Sequence, residues 1–362
     1  MRYEDEEIED LEDGDGELSE DAAEKVIREQ FIVNKGQEPV RIDKFLQNRI
    51  EGATRNKIQQ AIDDEFVLVN GKPVKSNHKI RPGEEIILFE TRPAEHFEIV
   101  PEDIPLDIVY EDEDLLIINK KVGMVVHPGC GNPRGTLVNG IAFYLKKEES
   151  EELPRVGLVH RIDKDTSGLL VVAKTEEAMS KIAAQFKKHT VYRRYVALAW
   201  GNFEEEEGTV EAHIGRHQRF RKIMAAYPDG DHGKEAVTHY KVLERFNYVT
   251  MLELRLETGR THQIRVHMKH IGHPLFNDAT YGGDYIVKGT VFTKYKQFVE
   301  NCFRLIPRHA LHAKELGFVH PRTGEYIHFN SEIPDDMQSV IEKWRSYTGG
   351  MTSQLRDKLD NA

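Results

Sequence analysis

Residues 157–174 read GLVHRIDKDTSGLLVVAK. Leu158 and Val159 lead into a polar loop, the loop ends in Thr166-Ser167-Gly168, and the apolar run from Leu169 to Ala173 follows at once. A strand-like approach, a polar loop and an apolar strand place Asp163 at the mouth of a sheet, where a loop side chain faces a cleft. The bland account is that Asp163 or Asp165 closes a turn on its own backbone amides, and spacing alone leaves both accounts open.

Outward from this stretch, strand-like runs recur at Leu115 to Ile118, Val122 to Val126, Tyr195 to Ala199, Val237 to Leu243, Val249 to Glu257 and Gly317 to Val319. Asn and Gly punctuate them, and hairpin-like turns replace the helix-after-every-strand rhythm of a doubly wound fold. The expected class is therefore α+β on a mostly antiparallel mixed sheet. Ser331 to about Tyr347 reads as a closing helix, with 348–362 as a loose C-terminal tail.

A smaller module precedes this domain. Ile42, Phe45, Leu46 and Ile50 recur at helical spacing, then Ile58, Ala61 and Ile62, which predicts two short amphipathic helices with Thr54 or Asn56 near a cap. Val67-Leu68-Val69, the turn Asn70-Gly71, Pro82-Gly83 and Glu85 to Phe89 then predict short strands joined by tight turns. Thr91 to Asp107, with Pro93, Pro101 and Pro105, reads as an extended linker. The expected division is an acidic disordered tail at 1–35, the module at 38–92, a linker at 93–106 and a large domain at 107–347.

The chain has 362 residues with 50 Lys plus Arg against 62 Asp plus Glu, a formal charge of −12. That balance argues at first against a nucleic-acid partner, because phosphate binding rests on Lys and Arg releasing counterions. Residues 1–24, however, carry 13 acids against Arg2 alone, so the remaining 338 residues balance at 49 acids and 49 bases. No apolar run approaches the roughly 20 residues of a spanning helix. Cys130 and Cys302 have no paired spacing, and the start MRYEDEEIED has no basic n-region before an apolar core, so a reducing cytoplasm is the expected compartment.

Two resemblances sharpen this reading. VRIDKFLQNRI and ATRNKIQQAIDDEFVLVNGKPVKSNHKIRPGEEIILFE, within residues 40–90, resemble the S4 RNA-binding domain with its α-L motif, although Asp63-Asp64-Glu65 is more acidic than that family's usual turn. His-Arg-Ile-Asp-x-x-Thr-Ser-Gly at 160–168 resembles the signature of the RluA group of pseudouridine synthases, with Ile162 for the usual leucine. Four further segments follow the group's order: INKKVGMVVHPG with GTLVN at 118–139, RRYVALAWG at 193–201, LETGRTHQIRVHMKHIGHPLFNDATYGG at 256–283, and RHALHAKELGFVHP at 308–321. The match spans about 107–330. Lys121 stands where the group usually has proline, and Asn277-Asp278-Ala279 where it usually has Gly-Asp-x; both departures are read as lying outside the reacting groups.

The resemblance implies an RNA pseudouridine synthase, an isomerase acting without metal or cofactor, on large-subunit ribosomal RNA or its precursor particle, as a cytoplasmic monomer. It assigns the chemistry to Asp163, a carboxylate able to take a sugar proton or attack a carbon. Attack on C1′, attack on the base and deprotonation at C2′ all remain open. Arg265 matches the arginine that keeps the aspartate charged; Thr261 is read as the cap of a helix from His262 to Ile271, on which Ile264 and Met268 face the core and Arg265 an adjacent side. Tyr195 matches the tyrosine that stacks on the target base, a position that would otherwise read as a core tyrosine. Arg161 matches the residue that fills the place of a flipped nucleotide, offsetting part of the unstacking cost.

For RNA binding the basic residues singled out are Arg41, Lys44, Arg55 and Lys57 in the small module, and Lys187, Lys188, Arg193, Arg219 and Arg221 near Tyr195. Such runs are also common on solvated faces. The histidines at 262, 267, 270, 273, 309 and 312 lack an HExxH order and a third ligand, and are read as RNA-facing or satisfied in the core. Two rivals remain: an RNA-binding ribosome-assembly factor with a silent synthase domain, and a metal-dependent hydrolase.

Overall fold

The computed structural model describes residues 25–50, 55–63, 65–91, 99–129, 132–148, 157–220 and 223–360. The acidic stretch 1–24, Thr54, Asp64, Cys130, Arg221 and Lys222 lie outside them, as do the side chains of Asn56, Lys57 and Asp63. The boundary between two compact units falls between Glu98 and Ile99.

The first unit runs β1 (Lys25–Ile32), α1 (Ile42–Gln47), α2 (Arg55–Asp63), β2 (Val67–Val69), β3 (Lys72–Pro73) and β4 (Glu85–Thr91). Asn70 and Gly71 both have positive φ, 49° and 74°, as a two-residue type I′ hairpin requires, and Val69 sits opposite Lys72. The antiparallel order is β1-β4-β2-β3. Val67, Val69, Ile86 and Leu88 are buried in one cluster with Ile42, Phe45, Leu46, Ile58 and Ile62 of the helices, the positions that the helical spacing picks out. Strand β1 corrects the expectation of a disordered tail through residue 35. Its KVIREQFI pairs along β4 with a bulge between Ile27 and Glu29, and Phe31 packs edge to face on Phe45 with centroids 6.1 Å apart. The acids upstream mask a short run whose partner strand lies far along the chain.

In the second unit β5 (Ile108–Glu111), β6 (Leu115–Lys120), α3 (Leu137–Glu148), β7 (Gly157–Leu158), β8 (Ser167–Ala173), α4 (Glu176–Lys187) and β9 (Tyr192–Trp200) come first. There follow β10 (Glu207–Glu211), β11 (His213–Arg216), β12 (Met224–Tyr227), β13 (Val237–Arg245), β14 (Val249–Leu256), α5 (Gln263–His270), α6 (Thr293–Leu305), β15 (Leu311–Val319), β16 (Tyr326–Asn330) and α7 (Asp335–Asp360). The main sheet has the order β10-β13-β14-β9-β15-β8-β6-β5, with β16 on β15 and β7 on β8. Its one parallel pair among the described residues is β15 with β8, so the sheet is mixed and mostly antiparallel, as expected.

Alternation on β9 sorts two cores. Tyr195, Ala197 and Ala199 join Ile264 and Met268 of α5 and Leu137 and Ile141 of α3, while Val196, Leu198 and Trp200 join Tyr295 and Val299 of α6 and Ile341 and Trp344 of α7. Helix α4 begins where Thr175 Oγ1 accepts the Ala178 amide at 3.1 Å, with Glu176 and Glu177 in the first turn complementing its dipole.

Three boundaries differ from expectation. Val122 to Val126 is not a strand: the buried Lys120 Nζ donates to the carbonyls of Lys121, Met124 and Lys164 at 3.0, 2.9 and 2.8 Å, which wraps the chain around it. The closing helix starts after Pro334, whose carbonyl takes the Gln338 amide and whose ring disfavours helix at the residue before it; it runs on through the supposed tail to Asp360. Residues from Ile99 belong to the second unit rather than to a free linker, since Asn139 Nδ2 donates to Val100 O and the Glu102 amide to Asn139 O.

Gly168 shows why the loop must end in glycine. Its φ is +116°, and a Cβ there would run into the Ala313 carbonyl of β15. Gly168→Ala is expected to break the parallel pair and cost about 3 kcal/mol or more; a thermal midpoint within a few degrees of the parent would contradict this.

Candidate active site

The Asp163 loop is held from three directions. The Asp163 carbonyl accepts the Thr166 amide at 3.1 Å, which is the turn expected of an Asx-rich loop, but the Asp163 side chain is not used to make it. Thr166 Oγ1 lies 2.8 Å from His309 Nε2, and Ser167 Oγ 2.9 Å from His312 Nδ1. Arg308 Nη1 donates to the Asp165 carbonyl at 3.1 Å, while the same guanidinium forks Asp336 on α7 at 2.8 and 3.0 Å. His160, three residues ahead of Asp163, accepts the Val171 amide of β8 at 3.0 Å and stacks on Phe186 at 4.6 Å. Burial pushes His160 down to about 3, so it stays neutral and serves as an acceptor. The histidines and the arginine of the quoted motifs are thus largely the scaffold of this loop, a role that sequence reading did not assign.

The carboxylate of Asp163 points at α5. Arg265 Nη1 donates to its Oδ2 at 3.1 Å, and the rest of the guanidinium forks the buried Asp278, Nε to Oδ2 at 2.8 Å and Nη2 to Oδ1 at 2.9 Å. Asp163 Oδ1 has no hydrogen-bond partner among the described residues. Burial of Asp163 works to raise its pKa, but the neighbouring His262 and Arg265 outweigh it and hold the carboxyl well below the ordinary aspartate value. Arg265 is buried too; burial alone would lower its pKa, and the two aspartates more than reverse this. Arg265 Cζ also lies 5.0 Å over the Tyr281 ring.

Helix α5 places Ile264 and Met268 in the core and Arg265 beside them, as its spacing predicts. Its cap differs. The helix starts at Gln263, and the residue before it is His262 with a left-handed backbone, φ 53° and no capping side-chain bond, so Thr261 is not the cap. The first turn is held instead by Gln263, whose Oε1 accepts the Arg260 amide at 2.9 Å and the Thr258 hydroxyl at 2.8 Å.

Tyr195 is buried on β9. Burial raises its hydroxyl pKa, Arg193 draws it down and Asp163 raises it again, so the phenol and the carboxylate lie within electrostatic reach of each other. Arg161 is half-buried beside His127, whose pKa falls to about 4 through burial and then through the charge of Arg161. Asp163 and Arg161 from one sequence motif, Tyr195 from a second and Arg265 from a third therefore come into one neighbourhood of the second unit.

The basic residues divide differently. Lys187, Lys188 and Arg219 are exposed, with Arg219 Cζ 5.2 Å from the exposed Phe220 ring. Arg193 is a correction: only 8% exposed, it donates through Nη2 to the carbonyls of Leu256, Glu257 and Thr258 at 3.4, 3.1 and 3.3 Å. It sits two residues before Tyr195 on the same inward face of β9, so the period of the strand takes it from the solvent. In the first unit Lys44 is exposed, but Arg41 and Arg55 both converge on the buried Asp43, at 2.8 and 3.1 Å. Gln59 and the Lys44 amide add to this grip, and although burial opposes it, the Asp43 carboxyl is held well below its ordinary value. Sequence counting treats that aspartate as a solvated neighbour; in the fold it organises the two arginines.

Asp278 is the residue that sequence reading misplaced. The motif comparison reads it as lying outside the reacting groups, yet it forms a fork with Arg265, the closest support of Asp163. Asn277 has φ 58°, the left-handed region where glycine sits freely and asparagine is tolerated, which accounts for its standing in place of a glycine. Three of the remaining histidines meet hydroxyls and carbonyls, His262 with Tyr281, His267 with Thr238 and Ala212 O, and His273 with Trp200 O, while His270 is exposed.

The family model described as RNA pseudouridylate synthase matches residues 114–270, and the S4 domain model matches residues 40–86. An uncharacterized RNA pseudouridine synthase of Chlorobaculum parvum is 47% identical over 319 residues, covering 87% of this chain and 97% of that protein. Ribosomal large subunit pseudouridine synthase D of Escherichia coli is 44% identical over 317 residues, 87% of this chain and 93% of that one. Among solved structures, human RNA pseudouridylate synthase domain containing 4 aligns with a TM-score of 0.53 over 66% of this chain and 92% of that chain at 22% identity, a likeness of fold.

Proposed function

The chain belongs to the RNA pseudouridylate synthase family, and from that premise we propose that Asp163 acts on the target uridine. In this reading Arg265 holds the carboxylate charged, Tyr195 stacks on the base, and Arg161 fills the space the flipped base leaves. Pseudouridine formation breaks the C1′–N1 bond, turns the uracil and joins its C5 to C1′. The proton lost from C5 is matched by one gained at N1, so the reaction calls for no oxidant, group donor or cofactor.

The observation that carries this reading is the one-sided grip on the carboxylate: Arg265 engages Oδ2, and Oδ1 is left to react. On the route favoured here, Oδ1 removes the proton from C2′ as the electron pair of the C1′–N1 bond leaves with the uracil, giving a glycal. Asp163 then returns that proton to C2′ while C5 of the turned base bonds to C1′. Tyr195, kept protonated by burial, is suited to pass a proton to or from the base.

Large-subunit ribosomal RNA is the proposed substrate, supported by identity along most of the chain with the Escherichia coli enzyme of that name. That substrate implies action in the cytoplasm, and because one chain supplies every proposed catalytic group, a monomer suffices. The S4 unit anchors the RNA, with Lys44, Arg41 and Arg55 as its candidate contacts, while the exposed Lys187, Lys188 and Arg219 follow the RNA backbone; Lys57 and Arg221 are candidates from the sequence alone. Pseudouridine mapping of ribosomal RNA from cells lacking the protein should show a small set of large-subunit positions reverting to uridine; an unchanged map would sink the substrate assignment. Deleting residues 1–92 should weaken binding of large RNA by about tenfold or more through lost phosphate contacts, yet leave the rate on a short stem-loop within a few fold.

A further inference from the structure

His262 stands just ahead of α5 with φ 53° and ψ 22°, a conformation that a residue bearing a Cβ holds only at a cost and that functional sites retain when a side chain must be aimed. Its imidazole meets the Tyr281 ring edge-on, with centroids 5.6 Å apart. Nδ1 lies 2.8 Å from the Tyr281 hydroxyl, and Nε2 lies 4.0 Å from Asp163 Oδ2.

The hydrogen bonds around the ring accommodate one arrangement of the protons in particular. The Tyr281 oxygen accepts the Met224 amide at 3.2 Å, and its own O–H can be given to His262 Nδ1. A neutral imidazole that accepts at Nδ1 carries its proton at Nε2. In that tautomer the N–H is directed at the oxygen held by Arg265 Nη1 at 3.1 Å. A separation of 4.0 Å is too long for a hydrogen bond, but catalytic contacts that are long in an empty site tighten when substrate binds.

We propose that His262 is a positioning residue for Asp163: the Met224–Tyr281 relay fixes its tautomer, its Nε2–H restrains Oδ2 alongside Arg265, and Oδ1 is thereby presented to the ribose. Two donors on one oxygen fix the rotation of a carboxylate that a single contact leaves free to turn. The inference rests on the reading that Asp163 acts on the uridine. The charged and titratable groups facing this pair are Arg265 and Lys269 of α5, Asp278 and Tyr281 of the following turn, His309 ahead of β15 and Tyr195 of β9.

The test is turnover of a 5-tritiated stem-loop RNA by the full chain and by His262→Ala, His262→Gln, Tyr281→Phe and Asp163→Asn. Glutamine places an amide N–H near the Nε2 position, whereas alanine has none. Expected for His262→Ala is a kcat lower by about 10- to 100-fold, in line with misplacement of a reacting group, with KM within threefold, and an acid limb of kcat moved upward in pH. His262→Gln should recover most of that loss. Tyr281→Phe keeps a ring in place but frees the tautomer, and should slow kcat by about tenfold; it also keeps the inference testable if His262→Ala folds poorly. His262→Ala at nearly the parent rate beside an inactive Asp163→Asn overturns the role of His262 and leaves Asp163 standing. Glutamine no better than alanine, or Tyr281→Phe at the parent rate, overturns it as well. An active Asp163→Asn takes both readings with it.

Discussion

Asp163→Asn is expected to abolish tritium release from 5-tritiated uridine RNA, a loss of about 10⁴-fold or more at the upper end of what a positioned acid–base group contributes. Asparagine fills the same volume and its amide oxygen still accepts from Arg265, so the loop geometry survives. What disappears is the free electron pair of an ionised oxygen. Because Arg265 keeps its fork on Asp278, stability should fall by only about 1–3 kcal/mol, the worth of one charged hydrogen bond. RNA binding should stay within a few fold. A variant that binds RNA and still turns over at a measurable fraction of the parent rate would refute the assignment of the chemistry to this carboxylate.

The direction of the Asp163 shift adds a pH signature. Its folded pKa lies below the ordinary 3.8, so the ionised form is the one that the fold favours. The stability it contributes is fully present above the unfolded value and is lost as pH falls toward the folded one. Asp163 should therefore stay ionised in the enzyme at and somewhat below pH 4, and the acid limb of kcat should lie lower than a free aspartate predicts. Burial without Arg265 and His262 would place that limb higher instead.

Much of this arrangement is legible in the sequence where the chemistry is local. The run from Gly157 to Lys174 gives the strand, the loop and the aspartate, and the Ile264–Met268 spacing gives the side of α5 from which Arg265 emerges. The Asn70-Gly71 turn fixes its hairpin within a few residues. What stays hidden depends on partners brought together by the fold. Asp278 is thirteen residues from Arg265 in sequence, and only the return of the chain after α5 makes them a pair. The two arginines of the small module look like a solvated face until α1 and α2 close them on Asp43. Arg193 was readable in principle, since the period of two that buries Tyr195 buries it as well; counting charges overrode that signal. The opening charge of −12 resides wholly in residues 1–24, and it says little about how the balanced remainder handles RNA.

Asp278→Asn should then have the second largest effect, by a route that differs from loss of a reacting group. The carboxylate is fully buried, takes both Arg265 bonds and also accepts the Tyr281 amide at 3.2 Å. An asparagine amide turned toward the guanidinium sets donor against donor, and removing one member of a buried pair costs about 3–5 kcal/mol. The freed fork of Arg265 has one other carboxylate within reach, Asp163, already 3.1 Å from Nη1. A guanidinium released from Asp278 is expected to clamp both oxygens of Asp163, and the oxygen needed for the ribose is then occupied. The expected result is a kcat lower by about 10²- to 10³-fold, as for other misplaced reacting groups, at a temperature where the variant remains folded, with KM little changed because RNA-facing residues are untouched. Circular dichroism melts should report the stability loss and single-turnover kinetics the catalytic one. A folded Asp278→Asn enzyme with the parent kcat would mean that Arg265 needs no second anchor to keep Asp163 open on one side.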